Sequence, residues 1–364
     1  MYKKDASIFK VEPWLVLIVG MVFIFGLFIL ASASHQQWVS HGKNYLTRQA
    51  FWMGISFIVL YLVTKINHTA ILSWAHVLYV LNMILLALLL IIGHISMGAQ
   101  RWFSIAGFTL QPSEFSKIVL ILTIARLISD NPRWQNDAKF FIRCLLVTIF
   151  PMVLIALQPD LGTALIFLPV LFAMLYVGGI RLKYILVSGV LLLLSAPVMW
   201  HFLQPYQKNR LLVFINPNLD PLGAGYTIIQ SRIAIGSGRF FGKGWFAGTQ
   251  NQLNFLPERH TDFIFSVVGE EWGFVGACFL LGLYLLFILR ALTIAANTKT
   301  MSQLVIVIGI VAMFIGHIII NISMTMGLMP VVGLPLPFMS YGGSYLLSAM
   351  IAVGLLINIQ SNRF

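Results

Sequence analysis

Long apolar runs, rather than alternating apolar and polar positions, organise this chain. Ten stretches read as membrane-crossing helices: about 13–34, 49–66, 74–96, 115–130, 140–158, 161–179, 183–203, 263–290, 303–326 and 340–360. An apolar run of about 18 residues or more is long enough to span a bilayer as a helix. A transmembrane barrel would need alternation along each strand, and the runs do not alternate. The pattern predicts an all-α polytopic membrane protein, one integral domain over residues 1–364. A large loop, 204–262, separates the seventh and eighth helices. Residues 13–34 read as the first span; "ASA" at 31–33 resembles a signal cleavage site, which leaves a removed leader as the alternative. No repeat of 20–50 residues is visible.

Composition agrees with this reading. Hydrophobic residues make up 59% of the chain and charged residues 9%, against about 25% charged in a soluble domain. The net charge of +12 has no soluble basic domain to carry nucleic acid, so anionic lipid or a phosphate-bearing substrate is the better partner. The two cysteines, Cys144 and Cys278, lie inside apolar runs and read as small buried hydrophobes.

Charge also sets orientation. With the N-terminus inside, the cytoplasmic segments hold thirteen bases: Lys3, Lys4, Lys10, Lys65, Arg126, Arg133, Lys139, Arg143, Arg181, Lys183, Arg290, Lys299 and Arg363. The short outer loops hold four: Lys43, Arg48, Arg101 and Lys117. This bias predicts both termini in the cytoplasm. Four acids, Asp5, Glu12, Asp130 and Asp137, then fall inside; Glu114, Asp160, Asp220, Glu258, Asp262, Glu270 and Glu271 fall on the outer side. Ionisable groups at membrane depth are costly and usually functional, so the outer face is where chemistry is expected.

Four constellations stand there. In the long loop, "YTIIQSRIAI" reads as an amphipathic helix on or in the membrane surface. It runs into "GSGRFFGKGWFAGTQ", whose glycines could free amides for an anion beside Arg239 and Lys243, or could form a plain flexible loop. "LPERHTDFIF" brings Glu258 and Asp262 to the mouth of the eighth span. Ser266, Gly269 and Gly273 follow Asp262 on one helical stripe and suggest a groove beneath a carboxylate; capping of the helix by Asp262 is the alternative. In "GAQRWFSIAGFTLQPSEFSK", Glu114 and Lys117 stand three apart at the membrane's outer edge, flanked by Arg101 and Gln111. They read either as a surface ion pair or as a held phosphate-binding lysine. "LQPDLGTAL" sets Asp160 in a short turn, where it can cap the sixth span. "GLPLPFMSYGGSYL" reads as a re-entrant entry to the last span, tolerated where protein covers its backbone. His76, His94 and His317 lack metal-ligand spacing and read as structural. Phosphate-loop, HExxH and GxSxG motifs are absent.

A membrane pocket open to the outer leaflet, with carboxylates and cations, suits a lipid-linked phosphate substrate; spacing does not name it. The stretches "FAGTQNQLNFLPERHTDFIFSVVGEEWGF" (246–274), "RWFSIAGFTLQPSEFSK" (101–117), "QPDLGTAL" (158–165) and "GLPLPFMSYGGS" (333–344) closely resemble the SEDS family of shape, elongation, division and sporulation proteins. The form of the loop is most similar to the rod-shape, RodA-type branch. The resemblance covers the whole chain, in order. It implies ten spans and a peptidoglycan glycosyltransferase that polymerises lipid II, an undecaprenyl-pyrophosphoryl disaccharide-pentapeptide. It implies work in the bacterial cytoplasmic membrane beside a class B penicillin-binding protein transpeptidase and other elongation-complex membrane proteins. It implies Asp262 as the catalytic carboxylate, with Glu114, Lys117 and Asp160 matching family positions. On that basis Asp262 is the expected general base. Lys117, Arg101, Arg210 and Arg239 are expected to hold pyrophosphate, Glu114 to orient Lys117, and Asp160, Gln111, Glu258 and Ser266 to support the site. A divalent cation, magnesium or manganese, on the pyrophosphate is a further expectation, with no protein metal site. A lipid II flippase and a non-catalytic scaffold are the alternatives.

Overall fold

The computed structural model describes residues 13–42, 44–96, 99–105, 108–131, 134 and 137–361. Of the charges counted above, Lys3, Lys4, Asp5, Lys10, Glu12, Lys43, Arg133 and Arg363 lie outside the described residues. Helices follow the apolar runs closely: α1 (Pro13–His41), α2 (Tyr45–Lys65), a short α3 (His68–Ser73), α4 (Ala75–Ile92), α5 (Pro112–Asp130), α6 (Ala138–Leu157), α7 (Leu161–Val177) and α8 (Leu182–Phe202). After the loop helices come α12 (Ile264–Ala296), α13 (Met301–Thr325) and α14 (Gly343–Ser361). Seven of them, α1, α2, α4, α6, α12, α13 and α14, are long and apolar enough to cross a membrane; α7 and the 182–198 stretch of α8 are shorter apolar helices. The ends are set locally. Asn44 accepts from the Thr47 amide, Asp137 from Lys139, Asp160 from Thr163, and Thr300 with Gln303 forms a capping box.

The chain is not purely helical. Between α4 and α5 lie three short antiparallel strands, β1 (His94–Ser96), β2 (Ala99–Ile105) and β3 (Phe108–Leu110), in the order β1-β2-β3. This corrects the all-α expectation. The connection carries glycines at 98 and 107, which disfavour helix, and its strands pair their backbone groups with one another.

The core gathers around α13, which packs against α5, α7 and α12; α1 lies along α12 and α2 along α14. Cys144 is buried as expected, but Cys278 lies on an exposed face of α12. The outer faces of α4 and α8 are large apolar side chains: Ile91 is 77% exposed and Leu193 75%. In water such surfaces would drive aggregation; against lipid tails they are at no disadvantage.

The loop between α8 and α12 carries α9 (Pro205–Ile215), a 3-10 turn (Pro217–Leu219), α10 (Ala224–Ser237) and α11 (Thr249–Gln252). Helix α10 packs on α12. Ser231 and Ser266 share a hydrogen bond of 2.6 Å, and a side chain at Gly269 would press on Ile235. The small-residue stripe below Asp262 is therefore the seat of α10, not a ligand groove, and Ser266 is a packing residue.

The glycine-rich loop also has a different task. Helix α12 breaks at Gly273, whose φ of 64° lies in the left-handed region. The loop fills that break. The Lys243 and Gly244 amides donate to the Glu270 and Glu271 carbonyls at 3.0 Å, and the Phe274 and Val275 amides donate to the Arg239 and Phe240 carbonyls at 2.9 and 3.1 Å. A broken helix at membrane depth needs such partners, because lipid offers none. The loop amides are thus spent on α12 rather than on an anion.

Candidate active site

Asp262 ends the loop that leads into α12, one residue before its N-cap Phe263. The three carbonyls around it are all held. His260 accepts from the Tyr341 amide at 2.9 Å, Thr261 from Ser340 Oγ at 2.6 Å, and Asp262 from Asn321 Nδ2 at 2.9 Å. Arg259, buried to 3% exposure, donates Nε to the Ala33 carbonyl at 2.7 Å and a second nitrogen to Asn254 Oδ1. The segment "LPERHTDF" is therefore clamped to α1, α13 and the 334–341 segment, and the Asp262 side chain is aimed by its backbone. The capping alternative is not realised: Phe263 has no side-chain cap, and among the described residues nothing hydrogen-bonds to the Asp262 carboxylate.

That carboxylate lines a cavity of about 190 Å³ with Arg210, Val213, Thr227, Ile228, Pro257, Glu258, Phe263 and Val331. Gly333 faces it, with φ of 72°; a Cβ there would lie 3.1 Å from Asp262 Oδ2. Burial, then the neighbouring Glu258 carboxylate, pushes the Asp262 carboxyl up to about 7; Arg210 and Arg101 pull it down and Asp160 raises it. Larger cavities of about 400 and 550 Å³ open between helices elsewhere, but no charged side chain lines them.

Arg210, on α9, is exposed and donates to the Val331 carbonyl at 3.2 Å. Glu258, with φ of 48°, accepts from Thr261 Oγ1 at 3.3 Å. Arg101, on β2, grips the α6–α7 turn through the Gln158 carbonyl at 3.1 Å and the Pro159 carbonyl, with Asp160 Oδ1 3.9 Å away. Asp160 is buried and fully engaged. It caps α7 through the Thr163 amide and hydroxyl, and Gln111 Nε2 donates to it at 3.0 Å. Gln111 also reaches Ser113.

Two expected positions differ. Glu114 and Lys117 do not form a surface pair at the membrane edge. They are 3% and 2% exposed, with Lys117 Nζ 2.7 Å from Glu114 Oε2 and 2.8 Å from His317 Nε2, beside the Tyr345 ring. The helix face that carries them turns inward, onto α13. Arg239 is exposed at the α12 break and does not line the Asp262 cavity. The 333–342 stretch runs without helix into α14 and is largely covered by protein. Four of its carbonyls are met by side chains: Leu334 by Asn321 at 2.6 Å, Pro335 by His317 at 3.2 Å, Pro337 by Tyr284 at 2.6 Å and Ser340 by Gln49 at 3.2 Å. His317 and Asn321 are both 0% exposed; sequence reasoning took His317 only as structural and passed over Asn321. Their spacing of four on an apolar helix was the available signal.

Known proteins share this sequence and fold. Residues 13–363 match the family model FTSW_RODA_SPOVE, described as "Cell cycle protein". Peptidoglycan glycosyltransferase MrdB of Escherichia coli (strain K12) is 40% identical over 357 residues, 97% of this chain and 94% of the relative. Peptidoglycan glycosyltransferase RodA of Treponema pallidum (strain Nichols) is 33% identical, over 93% of this chain and 94% of the relative. Among solved structures, a chain of a peptidoglycan synthase complex, described for coordination of polymerisation and crosslinking, superposes with a TM-score of 0.83 at 33% identity, over 97% of this chain and 98% of that one. Rod shape determining protein RodA of Thermus thermophilus gives 0.72 at 29% identity, over the same shares. The chain belongs to the FtsW/RodA/SpoVE family.

Proposed function

We propose that this protein is a peptidoglycan glycosyltransferase that polymerises lipid II into glycan strands for cell elongation and rod shape, with Asp262 as general base. The carrying observation is a partly buried carboxylate, backbone-clamped and free of hydrogen bonds among the described residues, in a cavity that also holds Arg210. A general base works best when it titrates near the operating pH, and Asp262 does.

The reaction follows from the bonds exchanged. The sugar 4-hydroxyl of one lipid II attacks the anomeric carbon at the reducing end of the growing chain. A carbon–oxygen bond forms there, the bond to pyrophosphate breaks on the opposite face, and the hydroxyl proton passes to Asp262. The α-linked donor gives a β-linked product, an inversion without a covalent enzyme intermediate. Undecaprenyl pyrophosphate leaves with its charge opposed by Arg210 and Arg101. Lys117, enclosed by Glu114 and His317, acts from behind the site rather than by contact. A divalent cation would ride on the pyrophosphate. Asp160 already accepts hydrogen bonds on both oxygens, and Glu258, which lines the cavity, is the carboxylate better placed to meet it.

Ten crossings fit this reading: the seven long apolar helices together with α5, α7 and α8. Both termini are cytoplasmic, and loop 204–262 and the cavity face outward in a bacterial cytoplasmic membrane. The partner is a class B penicillin-binding protein within the elongation complex. The test is purified protein with its transpeptidase and labelled lipid II. Polymer that disappears with Asp262→Ala supports the reading; polymer that persists removes Asp262 as base. No polymer from the wild type, with lipid II moved across vesicles, would make it a flippase.

A further inference from the structure

We infer that Asn321 and His317, one turn apart on α13, are positioning residues that fix the Asp262 loop and the buried Lys117 against one shared backbone segment, Leu334–Pro335. The inference rests on the reading of Asp262 as general base.

Asn321 spends both amide hydrogens on carbonyls, those of Asp262 at 2.9 Å and Leu334 at 2.6 Å. Its Oδ1 is buried with no partner among the described residues. A buried acceptor left unpaired is destabilising, and an apolar side chain of this size would avoid it. What an apolar residue could not do is tie the Asp262 carbonyl to the Leu334 carbonyl. One turn earlier, His317 Nδ1 donates to the next carbonyl, that of Pro335, at 3.2 Å. That bond fixes the tautomer and leaves the Nε2 lone pair to accept from Lys117 at 2.8 Å. The imidazole therefore meets the ammonium as a neutral acceptor, while Glu114 balances the charge at 2.7 Å.

The segment between is stiff. Leu334 precedes Pro335 and is held extended, and Pro335 and Pro337 have fixed φ. Two side chains four apart on a helix thus grip two consecutive carbonyls of a stiff segment. The base and the buried lysine cannot move independently of that segment. Small displacements at a reacting centre cost large factors in rate, so this arrangement acts on turnover more than on substrate affinity.

The charged groups that face Asp262 are Glu258 from its own loop, Arg210 from α9, Arg101 from β2 and Asp160 at the start of α7. None is on α13, so a change at Asn321 leaves them in place. The experiment uses the full chain with its transpeptidase and labelled lipid II, with kcat and KM measured between pH 5.5 and 8.5. Asn321→Leu is expected to lower kcat by about tenfold or more, with KM within about threefold, and to move the acid limb to lower pH as the carboxylate relaxes toward water. His317→Leu is expected to lower kcat comparably, and His317→Gln, which sets an amide oxygen where Nε2 stood, to recover most of that loss. If Asn321→Leu does not fold, Asn321→Ser, which keeps one donor, takes its place. An unmoved acid limb, or activity lost only in step with folded protein, overturns the inference, as does His317→Gln being as poor as His317→Leu at equal thermal stability. A wild type without an acid limb, or Asp262→Ala that still polymerises, instead overturns the base assignment itself.

Discussion

At Asp262 a single carboxyl carries two consequences of burial. Its pKa, raised from 3.8 to about 7, requires that polymerisation rise through neutral pH as the base ionises. The rate of lipid II consumption between pH 5.5 and 8.5 should show that limb, and Glu258→Gln should move it to lower pH by removing the neighbouring negative charge. Stability runs the other way. A carboxyl whose folded pKa exceeds its unfolded value favours the fold fully below about pH 4, and the contribution is lost as pH rises to about 7. Asp262→Asn should therefore melt higher than the wild type at pH 8, in detergent, with the difference vanishing toward pH 4. An inactive variant whose added stability grows as pH rises from about 4 to about 7 would be hard to explain by capping, where loss of the aspartate would weaken the helix. The residues around this carboxylate were legible in "LPERHTDFIF"; its isolation from hydrogen-bond partners was not, because that depends on Asn321, Ser340 and Tyr341 holding the backbone from afar.

Among the elements, the break in α12 shows why the glycines between 238 and 248 recur. Gly238 approaches so closely that a Cβ would collide with the Gly269 carbonyl oxygen, and Gly242 meets Glu271 in the same way. Gly238→Ala should destabilise the protein by about 2 kcal/mol or more through overpacking against backbone, read as a lower melting temperature in detergent. The same junction buries an ion pair. Lys243 Nζ is 2.8 Å from Glu270 Oε1, and Glu270, 1% exposed, also accepts from Thr249 Oγ1 and the Gln250 and Asn251 amides. Lys243→Met would leave a buried carboxylate without its cation, and a loss on the order of 3 kcal/mol is expected. Lys243→Met with Glu270→Gln together should recover much of it. Sequence spacing left these glycines and Lys243 as either an anion cradle or a plain flexible loop. The residue types suit both tasks, and only the position of the α12 backbone decides between them.

For the whole molecule, the proposal sets the 204–262 loop outside and the α12–α13 connection inside. In a Cys278→Ser background, Leu219→Cys, at a site 61% exposed, should react with an impermeant maleimide on spheroplasts. Met301→Cys, at a site 42% exposed, should react only after the membrane is opened. The reverse pattern would invert the topology and move the Asp262 cavity to the cytoplasm, away from any glycan.

Apolar runs longer than the bilayer is thick, and Lys and Arg counts in short loops, are local quantities, so the helices and their expected orientation could be read from the chain. The long helices overlap their apolar runs, although α1 continues to His41 and α12 to Ala296, beyond the ends read at 34 and 290. Caps such as Asp137 and Asn44 were equally local, since each acts within three residues of itself. The candidate base was legible too, because a carboxylate at the mouth of an apolar run is unusual wherever it occurs. What only the tertiary structure decided was which way each polar face turns. Lys117 points at His317, 200 residues away, Ser266 at Ser231, and Lys243 at Glu270. Asn321 reaches Asp262 across the α12–α13 interface. In lipid, a buried polar group must find its partner inside the protein, and that partner is set by helix packing rather than by neighbours in sequence.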